Sequence, residues 1–210
     1  MSIVKVIIDF VMDILETVVF TGSLFIALYL FILQPNQVKG ASMEPTFYTG
    51  EYILTSKITY KFKNIQHGDV IVFKSPKNPD IEYIKRIIGL PGDKLSITNG
   101  VVKVNDNIIT ENYIFSTTNL WEGGYTKNGQ EITVPQEEIY VMGDNRARSS
   151  DSREFGPVPI SSIIGYVFYR YYPANKNGMI ENPWPKNLQS LSLTNFLSRE
   201  KFLPSFRRSL

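Results

Sequence analysis

The feature that most constrains this chain lies near its start, where Thr17 to Leu33 reads TVVFTGSLFIALYLFIL without one charged residue. As a helix, about 17 residues at 1.5 Å each reach roughly 26 Å, close to the thickness of a bilayer core. A stretch apolar around its whole circumference needs lipid, or a large protein body, on every side. Upstream, Ser2, Lys5, Asp9, Asp13 and Glu16 recur at spacings of three and four. They form one polar stripe on an otherwise apolar helix, which suits a segment lying in the membrane interface. A cleaved secretory leader is the alternative, but it should begin basic and end in small residues. Here three acids accompany Lys5, and Gln34-Pro35-Asn36-Gln37 follows the span. Residues 1–33 are therefore expected to be a retained anchor: an amphipathic N-terminal segment and one transmembrane helix.

Beyond Leu33 the pattern changes to short β-branched and aromatic runs bounded by turn residues: 52–55, 70–73, 83–88, 101–104, 139–142 and 163–172. The fold class expected is mainly β. Asn99-Gly100 reads as a two-residue hairpin turn, Asn105-Asp106-Asn107 as another turn, and Pro91-Gly92 as the centre of a type II turn. Residues 95–135, richer in Asn, Gly and Thr, read as an inserted, smaller and more exposed β-subdomain. The core is then 34–94 and 136–172, and the polar, basic tail 173–210 is expected to be loose or surface-bound.

Composition removes several functions. A net charge of +2 over 210 residues gives no electrostatic case for nucleic acid. The absence of cysteine excludes disulfides, thiolate metal sites and a Cys nucleophile. The one histidine, His67, sits in Gln66-His67-Gly68-Asp69 and reads as a solvated turn residue. A Ser-His-Asp triad or a multi-histidine metal centre has little to build on.

Three segments could carry chemistry. Lys85, among bulky apolar neighbours in a strand, is either a solvent-facing lysine on an edge strand or a base whose pKa burial has lowered. Ser42, in Gly40-Ala41-Ser42-Met43-Glu44-Pro45-Thr46 just past the anchor, is either part of an ordinary turn or a nucleophile needing such a base. The third segment, Gly143 to Arg153, is a charged and hydroxyl-rich loop that must hold its shape by internal hydrogen bonds.

Together these segments resemble the type I signal peptidase family. GASMEPT at 40–46 matches its nucleophile box, GDVIVF at 68–73 the next, YIKRIIGLPGD at 83–93 its lysine box and GDNRARSSDSR at 143–153 its last. The match runs over about residues 34–172 in the family's order, with the anchor in front. The resemblance implies that Ser42 is the nucleophile, Lys85 the general base and Ser149 the hydroxyl that orients the lysine, with Asp144, Asp151 and Arg153 holding the loop. It implies shallow pockets for small side chains, walled by Val38, Met43, Phe47, Ile53, Tyr83 and Ile84, and a reaction that needs neither metal nor cofactor. It also implies a β catalytic core with an inserted β-subdomain, signal peptides of secreted preproteins and the lipid bilayer as partners, and a single-pass cell-membrane protein with its body on the extracytoplasmic side. Lys39, Lys57, Lys61 and Lys63 after the span, against Lys5 before it, would place the body in the cytoplasm. That count weakens before a long folded domain, so the family's orientation is preferred. A self-cleaving Ser/Lys protease and an anchored preprotein-binding module without activity are the alternatives. One departure stands out: some family members carry, two residues before the nucleophile, a serine that serves the oxyanion hole. This chain has Gly40 there, which either leaves the hole one donor short or adopts a positive φ that serine would strain.

Overall fold

The computed structural model describes residues 3–184. The chain opens with helix α1 (Ile3–Phe31) and passes at Ile32 into strand β1 (Leu33–Gln37), so the helix stops two residues before the end of the uncharged stretch. Its charge-free part, Thr17 to Phe31, is about 15 residues or roughly 22 Å. Among the described residues no helix is long and apolar enough to cross a membrane. Yet the apolar side chains of α1 are bare on every face, Val18 at 62% exposed, Phe20 at 70%, Phe25 at 69% and Ile26 at 57%.

Short strands follow: β2 (Tyr52–Ser56), β3 (Val70–Lys74), β4 (Glu82–Gly89), β5 (Lys94–Thr98), β6 (Val101–Val104), β7 (Asn107–Ile108), β8 (Glu131–Thr133), β9 (Glu138–Met142), β10 (Val158–Pro159), β11 (Ile163–Tyr172) and β12 (Gly178–Met179). Two short helices, α2 (Thr59–Phe62) and α3 (Ser152–Phe155), fill connections. The larger sheet runs β1-β2-β11-β3-β4-β9-β10 with β12 on β11, and the smaller runs β7-β6-β5-β8. All the pairings are antiparallel. The chain is mainly β, as its alternating runs predict.

Alternation along β3 shows how the larger sheet is held. Val70 and Val72 join Val38, Met43, Phe47, Ile53 and Val167 on one face, while Ile71 and Phe73 join Ile87, Leu90, Ile139 and Val141 on the other. Both faces are covered, which is why β3 reads as an unbroken apolar run. In the smaller sheet Leu95, Ile97, Val102, Val104 and Ile132 face inward at every second position against Ile88, Tyr140 and Met142 of the larger one. Its hairpin turns at Asn99-Gly100 and Asn105-Asp106, where all four residues have positive φ, the type I′ geometry that the hairpin signal predicts.

One expectation is corrected and one narrowed. His67 is 3% exposed rather than solvated: its Nε2 lies 2.5 Å from Asp93 Oδ2 and its ring stacks on Trp184 at 4.9 Å. The tail, expected to be loose or surface-bound from 173 onward, lies on the surface of the body as far as it is described. β12 pairs with β11, Ile180 N–H bonds the Phe168 carbonyl at 2.9 Å, and Asn182 Nδ2 donates to the His67 carbonyl at 2.8 Å. Residues 185–210 lie outside the described part. Both outcomes have one cause: Trp184 covers a turn more than a hundred residues away, a closure that no local pattern announces.

Candidate active site

The cleft that matters lies between two unpaired strand edges. β4 pairs with β3 along Glu82 to Arg86 but with β9 only from Arg86 onward, so its first residues keep one edge free. β1 is an edge strand, tolerant of Pro35 because no ladder bond is asked of its nitrogen. Between them opens a cleft of about 640 Å³ whose walls include Val38, Ser42, Ile53, Tyr83, Ile84 and Lys85. At its far end Gln34 Nε2 and Asn36 Nδ2 donate to the Glu82 carboxylate at 3.3 and 3.2 Å.

Ser42 follows β1 in a run of turns, and Lys85 projects from β4 with only 3% exposed. Lys85 Nζ lies 2.8 Å from Ser42 Oγ and 2.9 Å from the Ile84 carbonyl, with the Tyr83 ring centroid 5.1 Å away. Burial lowers the Lys85 pKa from its ordinary 10.5 to about 8; Asp151 and Asp144 push it back up, and Arg153 opposes them. A lysine near 8 is about one-tenth neutral at pH 7, and the neutral amine can accept the Ser42 proton along the same 2.8 Å line.

The loop 143–153 supports the pair from behind. Asp144 takes Arg86 through both oxygens, at 2.9 Å from Nε and 2.6 Å from Nη2, and accepts the Thr46 hydroxyl at 2.5 Å. Asp151 caps α3 through the Arg153 N–H, accepts the Gly143 N–H at 3.0 Å and pairs with Arg153 at 2.7 Å. Asn145 N–H donates to the Ser42 carbonyl at 3.0 Å. Gly143 makes this approach possible: a Cβ there would fall on the Ser42 carbonyl and on Ser149 Oγ.

The structure distributes the expected site residues unevenly. Ser42 and Lys85 meet, and Asp144, Asp151 and Arg153 brace the loop. Ser149 Oγ is buried but makes no hydrogen bond, so the expected contact orienting Lys85 is not made. Val38, Ile53, Tyr83 and Ile84 line the cleft, whereas Met43 and Phe47, 1% and 0% exposed, pack behind the wall in the core. Gly40 has φ +92 with open space where a Cβ would go, so it stands where a left-handed backbone is needed. That favours the second of the two readings of Gly40, the strained backbone. Sequence reasoning missed Arg86, Arg146 and Glu111. Arg86 was within reach, since two consecutive cations in an apolar strand cannot both turn to solvent; Glu111 carried no signal. Among the described residues no cluster of three or more His, Cys, Asp or Glu is placed to hold a metal.

Comparison with known proteins bears on the family to which the chain belongs. The family model described as "Signal peptidase, peptidase S26" matches residues 11–172. The chain is 34% identical to signal peptidase IB of Staphylococcus aureus strain COL over 175 residues, 77% of this chain and 91% of that one. It is 34% identical to the probable signal peptidase I-2 of Synechocystis over 170 residues, 79% of this chain and 75% of the relative. Among solved structures it is similar to a signal peptidase I from Enterococcus faecalis V583, with 32% identity, a TM-score of 0.40, and coverage of 50% of this chain and 97% of that one.

Proposed function

Because the chain belongs to the signal peptidase family, peptidase S26, and is a serine endopeptidase of the signal peptidase I type, we propose that it removes signal peptides from exported preproteins with a Ser42/Lys85 dyad. The observation that carries this reading is Lys85 Nζ, buried and 2.8 Å from Ser42 Oγ.

In the proposed reaction neutral Lys85 takes the Ser42 proton as Oγ attacks the carbonyl after the last residue of the signal peptide. The tetrahedral intermediate collapses, the lysine ammonium gives its proton to the leaving amine, and an acyl-enzyme remains. Water, deprotonated by the same lysine, then hydrolyses the ester. The backbone N–H of Ser42 is the donor offered to the oxyanion. The substrate lies extended between the free edges of β1 and β4, with its side chains against the apolar walls of Val38, Ile53, Tyr83 and Ile84.

The protein is attached to the bilayer through α1 as a single-pass anchor, with its body on the extracytoplasmic side. The bare apolar circumference of α1 supports this, since nothing in the described protein covers it. The test is to mix the detergent-solubilised full chain with a preprotein. Processing in trans at the signal-peptide junction is expected. Self-cleavage alone, or binding without cleavage, would overturn the reading in favour of a self-cleaving protease or a binding module.

A further inference from the structure

Three arginines lie buried around the Ser42/Lys85 pair: Arg86 at 1% exposed, and Arg146 and Arg153 at 0%. Asp144 and Asp151 of the loop 143–153 pair with Arg86 and Arg153. That loop contains no third acid for Arg146. Its carboxylate comes from the connection between β7 and β8, where Glu111 takes the guanidinium through both oxygens. Glu111 also accepts the Tyr113 hydroxyl at 2.8 Å, and the Tyr113 ring lies 4.4 Å from the Arg86 guanidinium. Arg146 passes the hold back to the loop. Its Nε donates to the Gly143 carbonyl at 3.0 Å, and its own carbonyl accepts Arg153 Nη1 at 2.8 Å.

We propose that Glu111 is a positioning residue for the reaction: by neutralising Arg146 it fixes the Gly143 to Asn145 segment against Ser42. The inference rests on Ser42 and Lys85 being the reacting pair. Without the Glu111 charge, a buried and unpaired Arg146 would compete for Asp144 or Asp151, drawing them from Arg86 and Arg153. The Asn145 N–H that holds the Ser42 carbonyl would move with them, and Oγ would lose its line to Nζ. The connection between β7 and β8 is thereby part of how the site is built.

Preprotein cleavage by the full chain in detergent tests this, with kcat and KM measured separately for Glu111→Gln, Glu111→Asp and Glu131→Gln. Glu131, at the far end of the same connection where β8 begins, is a control, paired at the surface with Lys94 at 3.0 Å. Glu111→Gln keeps the shape and removes the charge, so kcat should fall about ten- to hundredfold with KM unchanged. Glu111→Asp should recover part of the rate, and Glu131→Gln should behave as wild type. Wild-type kcat in Glu111→Gln, a rise in KM alone, or an equal loss in Glu131→Gln overturns the proposal. Should Glu111→Gln fail to fold, Tyr113→Phe decides: it removes one bond to Glu111 and should lower kcat about two- to fivefold, and an unchanged kcat overturns the proposal. Ser42→Ala in the same series separates the two readings. Activity there would count against the nucleophile, whereas an inactive Ser42→Ala beside a fully active Glu111→Gln counts against Glu111 alone.

Discussion

The backbone carbonyl of Ser42 accepts the Asn145 N–H at 3.0 Å, so the peptide that carries the hydroxyl is tied to the loop that carries the ion pairs. Any displacement of that loop is transmitted to Oγ, and the placement of one nucleophile depends on partners about a hundred residues away.

Ser42→Ala and Lys85→Met should each abolish preprotein cleavage and leave the fold intact. The two side chains act on one proton, so the double variant should be about as inactive as either single one. Gel-based processing rates check this; a Lys85→Met enzyme with more than about a tenth of the wild-type rate would remove the dyad.

Activity should follow the neutral form of Lys85, with kcat/KM rising about tenfold per pH unit below the pKa of about 8 and levelling above it. A profile still climbing with an apparent pKa near 10 would mark an ordinary exposed lysine.

The same shift sets a stability difference. Lowering the pKa from 10.5 to about 8 corresponds to a burial cost of about 3 kcal/mol. Below about pH 8 both folded and unfolded chains hold the proton and the cost is fully present; between 8 and 10.5 only the unfolded chain keeps it, so stability rises with pH. Lys85→Met should thus be more stable than wild type in urea at pH 7, and the gap should close near about pH 11. A gap independent of pH would disprove the linkage.

Asp144→Asn leaves the Arg86 guanidinium, 1% exposed, without its carboxylate. Breaking a buried pair from one side costs about 3–5 kcal/mol, so the urea midpoint should drop sharply. A shift of less than about 1 kcal/mol would mean that this pair is solvated in solution.

Gly40→Ser has room for its side chain but not for its backbone, φ being +92. Holding serine there costs about 1–3 kcal/mol, and single-turnover cleavage should fall tenfold or more. A faster chemical step would restore the reading of Gly40 as a missing oxyanion donor.

Removing residues 1–31 should release the body from the membrane fraction into the soluble one. Protease added to spheroplasts should digest the body of the full chain, and protection of the whole chain would reverse the proposed orientation.

What could be read from the sequence alone was set by neighbours along the chain. Periodicity marked the N-terminal helix, alternation marked the strands, and Asn99-Gly100 fixed a hairpin, because backbone geometry and turn chemistry are decided within a few residues. The boxes around Ser42 and Lys85 were legible for the same reason, each being a contiguous string. Tertiary closure alone decided that His67 is buried under Trp184, that Met43 and Phe47 stand behind the cleft wall, and that Arg146 is neutralised by Glu111, 35 residues distant. Burial and charge pairing depend on which segments meet. A pKa near 8 is therefore a property of the enclosure around Lys85, and not of the string YIKRII that contains it.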